Sequence, residues 1–497
     1  MYQLLILVGC LLVNQSVNAK QKNEAKLEKP FVVEMYSSLP TSIDPHQIGS
    51  ASQYNLISHL VRTPVKFTKD YLMEGDLLES WKIQDDHRTY ILHFKRDQHF
   101  SNGELITAKI FKVSLDRLMK RDTAIHFNFS SVSSIKLKND YEIEIKLKES
   151  NRRLLQQLSH PEFGLLYSIG GAITLDSFKI SSGPYIFVKQ DELGIHLIRN
   201  HRYPSKINYP ENLLWKSSPY EKQKSDLLEG KVDATLPGLQ FDIKDHREIL
   251  NRPNLKSVET HHGFTYFLSL NPNSKIFSSI ENRLAFMKYL RGVKINFSEL
   301  EPLWKGADQL YLPGGLGRPD RATIEAAWSK IATASPSNIK AIEIKLLAAK
   351  SFPFNDQIIS SLRKKLNVSV TYYKDFDEYS NFIKTNTFDV VQVNNDFSSA
   401  DLVENILVTF RESRPLVFVP KNSKIREDVS KMLEVDSPKD LQSYLSEIGT
   451  LLLEEGLVYP IAYNMRYVYA KKEILFNNWS TTFPDVRFWK VQQYDQN

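Results

Sequence analysis

Residues 181–203 read SSGPYIFVKQDELGIHLIRNHRY. Tyr185 and Phe187 fall on one face of an alternating run, and Ile195 and Leu197 on one face of the next. A period of two on both sides of Asp191-Glu192-Leu193-Gly194 predicts a β-hairpin. The same alternation recurs upstream. Tyr90, Leu92 and Phe94 alternate with Ile91, His93 and Lys95. Ile135 and Leu137, a turn at Asn139-Asp140, and then Tyr141, Ile143, Ile145 and Leu147 alternate with Glu and Lys. These segments predict a sheet with one solvated face. Further strands are predicted at 31–35, from 77 to 81 and at 264–270. Asp85-Asp86 and Ser101-Asn102-Gly103 supply turns.

A period near 3.6 marks the helices. Residues 53–61 are amphipathic. Thr107 stands before a stripe of Ile110, Phe111, Leu115 and Leu118, which predicts a capped helix. A helix is expected over 220–229. Ser278 lies three residues before Glu281, a capping-box spacing for a helix ending near Leu290. A Gly/Pro-rich loop follows at 312–319. The last third predicts strand 342–348, helix 355–366, strand 368–372, helix 376–384 and strand 388–393. A helix near 438–455 and strands near 457–471 close the chain. Alternating strands and helices imply an α/β fold with crossover connections.

Composition adds scale and compartment. At 497 residues two or three domains are expected. The 42% hydrophobic and 25% charged content is that of a globular protein, and the net charge is +6. No Lys/Arg run is dense enough to follow a phosphate backbone, so no nucleic acid is expected as partner. Residues 1–19 carry no charge, and 4–13 form an apolar core too short to span a bilayer. Val17-Asn18-Ala19 suits signal-peptidase cleavage before Lys20. Leu7-Val8-Gly9-Cys10 also resembles a lipobox, which would leave Cys10 lipidated. Cys10 is the only cysteine. The expected location is periplasmic or extracellular, soluble or lipid-anchored through Cys10.

The motif search returns little catalytic chemistry. HExxH, GxSxG and Walker A are absent, and the 314–319 run breaks GxGxxG at Pro319. His87, His93 and His99 lack metal-ligand spacing. His261-His262 would point to opposite strand faces. No catalytic residue, metal or cofactor is predicted.

Ordered short motifs carry the positive signal. Ser42-Ile43-Asp44-Pro45-His46 is followed by Leu78-Glu79-Ser80-Trp81, then Thr107-Ala108. Next come Ser182-Gly183-Pro184-Tyr185, Arg199-Asn200-His201-Arg202-Tyr203 and Gly230-Lys231-Val232-Asp233. Leu270-Asn271 and then Arg283 with Ala285 complete the series. In this order they resemble the family 5 extracellular solute-binding proteins, the oligopeptide- and dipeptide-binding receptors of ABC importers. The resemblance spans roughly residues 31–470. It implies a two-lobed periplasmic-binding-protein-like α/β fold of class II with an extra subdomain. Lobe one would comprise 28–57, 180–268 and 467–497, and 58–179 would be inserted in it. Lobe two would comprise 269–466, and 20–27 would be a leader.

The resemblance places ligand contacts at two segments. Leu39, Pro40 and Thr41 would offer extended backbone to a peptide. Val393, Asn394, Asn395, Asp396 and Phe397 fall at the family's strand-end turn, where Asp396 matches a carboxylate that anchors an α-ammonium. The chain departs from the pattern at Ser398-Ser399-Ala400 and at Arg291-Gly292, which puts the ligand class in question. The resemblance implies that the Arg199–Tyr203 end of the hairpin is scaffold. Trp81, Trp215 and Trp304 are expected to pack. The function expected is capture of a small ligand, foremost a peptide, by a monomer that delivers it to a membrane ABC permease. The alternatives are a sensory receptor of the same fold and an exported hydrolase.

Overall fold

The computed structural model describes residues 29–35, 38–40, 43–48, 50–68, 72–121, 129–167, 172–236, 241–335, 338–395, 402–435, 437–476 and 492–493. The predicted export signal and leader, Thr41, Asp396 and Phe397 lie outside them.

One eleven-stranded sheet organises the chain. Its spatial order is Val368–Tyr373, Ile344–Ala349, Val390–Asn395, Leu255–Leu270, Val458–Lys471, Ala234–Thr235, Phe31–Met35, Asn212–Ser217, Gly194–Arg199 and Tyr185–Asp191. The short strand Trp304–Gly306 also pairs with Val458–Lys471. Leu255–Leu270 and Val458–Lys471 form a long antiparallel ladder through the middle. The sequence shows only the 264–270 end of the first of these strands, because Leu255 to Gly263 alternates poorly.

Both faces of this sheet are covered, which is why Phe31–Met35 is buried at every position. Phe31, Val33 and Met35 join one core with Tyr185, Phe187, Ile195, Leu197 and Trp215. Val32 joins another with Leu214, Tyr463, Tyr467 and Tyr469. The C-terminal third builds two more cores, one around Leu268, Phe286, Leu346 and Val390 and one around Phe267, Leu347, Val391 and Val393. A separate four-stranded sheet, Leu78–Gln84, Thr89–Phe94, Glu142–Leu147 and Val132–Asn139, has its own core. There Tyr90, Leu92 and Phe94 meet Phe111, Leu115 and Leu118 from the helix Ala108–Arg121. His93 lies on the outer face, 3.5 Å from Glu142. Among the described residues no helix is long and apolar enough to cross a membrane.

The predicted hairpin forms from Tyr185–Asp191 and Gly194–Arg199. Asn200 locks its far end. Its amide Nδ2 donates to the Gly183 carbonyl at 2.8 Å, and its Oδ1 accepts from Arg202 N at 3.0 Å. One predicted cap is corrected. The helix Ile280–Leu290 is capped by Ser279, whose hydroxyl accepts from Asn282 N, rather than by Ser278. The Ser278 hydroxyl instead donates to the Lys275 carbonyl. Three helices absent from the sequence reading, Ile243–Leu250, Arg321–Thr333 and Lys424–Met432, start at Asp242, Asp320 and Ser423 caps.

Arg62 joins the four-stranded unit to the main sheet. Its Nε donates to Asp76 Oδ1 at 3.0 Å and its Nη1 to Gln98 Oε1 at 2.7 Å. Burial works against ionisation of Asp76, but Arg62, Lys66 and Lys95 outweigh it and hold the carboxyl below the usual carboxylate range. The unfolded chain therefore binds this proton more tightly. The contribution is complete above the ordinary aspartate pKa and lost as pH falls through the lower folded one. Urea midpoints are expected to drop on acidification below about pH 4. The drop should be smaller in Asp76→Asn, which starts from a lower midpoint.

Candidate functional site

The ladder register fixes where the predicted segments lie. Phe31–Met35 runs parallel to Ala234–Thr235, with Glu34 opposite Thr235. Thr235 Oγ1 in turn accepts from Tyr469 N at 3.0 Å. From the other side, Val390–Asn395 runs antiparallel to Leu255–Leu270, with Asn395 opposite Thr265 and Thr265 opposite Tyr463. The two strands point their C-terminal ends toward each other along the ladder. Their ends are offset by the six residues from Tyr469 to Tyr463, roughly 20 Å. Leu39 and Pro40 follow the first strand, and the 396–401 segment follows the second. Strand C-terminal ends that converge on a crossing point form the crevice in which α/β proteins hold ligands.

The individual side chains divide by role. Leu39 packs on the core of the N-terminal strands and is half-buried, as is Pro40. Val393 is buried in a C-terminal core. Asn395 Nδ2 donates to Asn405 Oδ1 at 2.7 Å and to Thr409 Oγ1 at 2.6 Å, which ties the strand end to the helix Leu402–Thr409. Asn394 is exposed. Val393 and Asn395 thus fix the end of the strand, and Asn394 is exposed beside them.

Directly opposed residues share a sheet face. Asn394 is opposite Tyr266, Tyr266 opposite Ala462, Phe264 opposite Asn464, and Trp304 opposite Asn464. This face carries a ledge of half-buried aromatic and polar groups that the sequence reading passed over. Tyr266 lies 5.2 Å from Trp304 and 5.4 Å from Phe352 between ring centroids. The Arg466 guanidinium sits 5.0 Å over the Phe264 ring. Burial pushes the Tyr266 phenol up, and Arg466 and a hydrogen bond with the Asn394 side chain partly offset it. Beneath Asn394, Gln392 is fully buried, and neither of its amide atoms has a partner among the described residues. Buried amides are normally satisfied, so this one calls for a further polar group. The signal in the sequence was the pair Phe264 and Tyr266 at strand spacing, which core packing explains equally well.

The Gly-rich loop 312–319 is scaffold. Arg318 donates to both oxygens of Asp308, at 2.8 and 2.7 Å, and to the Tyr463 hydroxyl at 2.9 Å. Among the described residues no group of three or more His, Cys, Asp and Glu side chains is placed to hold a metal ion.

This arrangement is the two-lobed α/β fold of the periplasmic binding proteins. It is shared with a DppA periplasmic binding protein of Helicobacter pylori solved in complex with the peptide STSA, at TM-score 0.65 and 17% identity over 94% of this chain and 98% of that one. It is shared equally with NikA of Brucella suis solved with Fe(III)-EDTA, at TM-score 0.68 and 18% identity over 93% and 99%. Residues 73–288 match the model of the bacterial extracellular solute-binding proteins, family 5 (middle region). The periplasmic oligopeptide-binding protein OppA of Haemophilus influenzae is 28% identical over 116 residues, 23% of this chain. The matched stretch spans only 21% of that relative's length.

Proposed function

We propose that the chain captures a small solute, foremost a peptide, between two lobes outside the cytoplasm and delivers it to a membrane ABC permease. The observation that carries this reading is the convergence of the Phe31–Met35 and Val390–Asn395 strand ends on the long ladder. The N-terminal core with residues 180–268 and the chain's C-terminal return would be one lobe, the four-stranded unit its insert, and 269–466 the other lobe. A ligand bridging both strand ends makes its full contacts only when the lobes close, so binding raises the closed population. No bond is made or broken.

The peptide assignment rests on the family, on the peptide bound in the Helicobacter pylori structure and on the chemistry of the two segments. Leu39-Pro40-Thr41 would present extended backbone, and Asp396 a carboxylate for the ligand's α-ammonium. Gln392 and Asn394 on the second lobe, with Tyr266 of the first lobe registered opposite Asn394, would supply neutral hydrogen-bonding groups. The Fe(III)-EDTA held by NikA shows that the fold accepts other chemistries. A buried carboxylate–ammonium bond contributes about 1.5–3 kcal/mol, so Asp396→Asn is expected to weaken peptide binding roughly tenfold to a hundredfold. Its melting should stay near that of the parent. Native mass spectrometry of the purified protein identifies the retained ligand, and calorimetry with that ligand measures the loss. Parent affinity in Asp396→Asn would remove Asp396 from the site, and retention of a ligand without an ammonium group would overturn the peptide reading.

A further inference from the structure

The two faces of the long ladder carry different groups. Along Val458–Lys471, Tyr463, Met465, Tyr467 and Tyr469 all enter the core that holds Val32. Asn464 and Arg466 alternate with them and belong to the other face. Phe264 and Trp304 are registered on Asn464, and Tyr266 on Ala462, so the ledge lies on that other face, as does Asn394 opposite Tyr266. Leu39 packs on the core that receives Ala470 from the same face. Both candidate ligand segments thus lie on one side of the ladder.

Segment 299–305 crosses the opposite side. Lys305 is opposite Tyr463 and Glu259 opposite Tyr467. The Lys305 ammonium lies 3.6 Å from Glu259 Oε2, and the Tyr467 hydroxyl donates to the same oxygen at 2.9 Å. Arg247, on the helix Ile243–Leu250, donates from Nη2 to the Glu299 carbonyl at 3.0 Å. Between these polar ends Leu303 is 2% exposed and sits in one core with Ile249, Leu255 and Tyr467. In the division proposed above, 299–305 is part of one lobe, and Arg247, Ile249, Leu255, Glu259 and Tyr467 are part of the other. Solvent reaches the Glu259–Lys305 pair, and such pairs contribute little. The hold comes chiefly from Leu303, whose side chain returns to water if the segment lifts.

A hinge rotation that brings the lobes together on one face of the ladder draws bridging groups on the opposite face apart. We infer that segment 299–305 is a latch that keeps the crevice open without ligand and so sets its affinity. Closure has to pull Leu303 from its core, which keeps the closed fraction of the ligand-free protein small, and apparent affinity falls with that fraction. The inference rests on the two-lobe reading above, and the test separates the two. Small-angle scattering of the ligand-free full-length protein is expected to give a smaller radius of gyration for Leu303→Ala than for the parent. Leu303→Met, which keeps the burial, should match the parent. Calorimetry uses the peptide Ser-Thr-Ser-Ala, found in the Helicobacter pylori structure. Leu303→Ala should bind it roughly threefold to tenfold more tightly than the parent does. If Leu303→Ala does not fold, Arg247→Ala with Glu259→Gln frees the polar ends of the latch and should shift both readings in the same direction. An unchanged or larger radius in the folded variants would overturn the latch, whatever the peptide does. A smaller radius in the variants beside a parent that does not bind the peptide would uphold the latch and count against the peptide reading.

Discussion

Arg117→Met is expected to lower the stability of the chain by about 3–5 kcal/mol, because it leaves a buried carboxylate without its counter-charge. Arg117 closes the helix Ala108–Arg121 onto the segment that follows the first strand. Its Nη1 donates to Asp44 Oδ1 at 2.9 Å and its Nη2 to Oδ2 at 2.5 Å. Nη1 also donates to His46 Nδ1 at 2.5 Å. The two charged side chains are only 9% and 5% exposed, so solvent cannot take over either role. Asp44 has a second duty, accepting from His46 N at 3.0 Å and so capping the short turn Pro45–Gln47. Burial alone would raise its pKa, but the hydrogen bonds from Arg117 and from His46 N and the charge of Arg117 hold it below the usual carboxylate range. This contribution is present above the unfolded aspartate pKa and disappears as pH falls through the folded one. The gap in urea midpoint between parent and variant should therefore narrow in acid. The double change Asp44→Asn with Arg117→Met should recover part of the loss. A deficit under about 1 kcal/mol at neutral pH would place this pair with exposed ion pairs.

The Asp44–Arg117 contact also shows what the sequence could and could not disclose. Ser42 to His46 was legible as a motif, and 108–121 as an amphipathic helix, because each is local. The bond between them spans 73 positions and has no local signature. The same contrast runs through the fold. Tyr90, Leu92 and Phe94, the stripe of Phe111, Leu115 and Leu118, and the alternating strands and helices from 342 onward were readable, since one buried face imposes a period. Leu255 to Gly263 was not. That stretch crosses from one core to the next, and a register shift between Glu259 and Gly263 breaks its alternation. Helices starting at Asp242, Asp320 and Ser423 were missed because their apolar stripes are short and the cap residues are common in loops. At the candidate site, the 39–41 and 393–397 segments came from family resemblance. The ledge of Phe264, Tyr266, Trp304 and Arg466 emerges only when three strands distant in sequence are set in register.

That ledge and the strand ends follow from one topological fact. The sheet is built by two sets of strands that enter the long ladder from opposite ends. Each set ends a strand near the ladder's middle, at Met35 and at Asn395, the stretch that has to bend if the two sets move relative to each other. The register shift at 259–263 is in that stretch, and bulges loosen local pairing. Gly263 lies there with no room for a side chain, since a Cβ would approach the Asn464 carbonyl oxygen to 2.8 Å. The irregularity that hid this strand in the sequence thus lies level with the proposed crevice.

The hairpin at the N-terminal edge of the sheet supplies the second large effect. Gly194→Ala is expected to destabilise the chain by about 3–5 kcal/mol, from backbone strain and overpacking together. Gly194 closes the turn after Asp191, at φ +144, a conformation that side-chain-bearing residues rarely adopt. Its missing Cβ would stand 2.0 Å from the Trp215 carbonyl oxygen on the neighbouring strand Asn212–Ser217. No rotamer relieves this, because both partners are backbone. Only separation of the two strands does, and Ile195 is registered directly opposite Trp215. Trp215 is fully buried in the core that also holds Phe31, Val33 and Met35, so the displacement reaches the strand that leads to Leu39 and Pro40. The variant should show a lower urea midpoint, altered near-ultraviolet circular dichroism from the Trp215 environment, and weakened ligand binding. Leu193→Ala is the control at the adjacent exposed turn position and should stay within about 0.5 kcal/mol of the parent. A Gly194→Ala protein that unfolds like the parent would mean that the edge hairpin can shift without disturbing Trp215, and would separate the hairpin from the packing of the first strand.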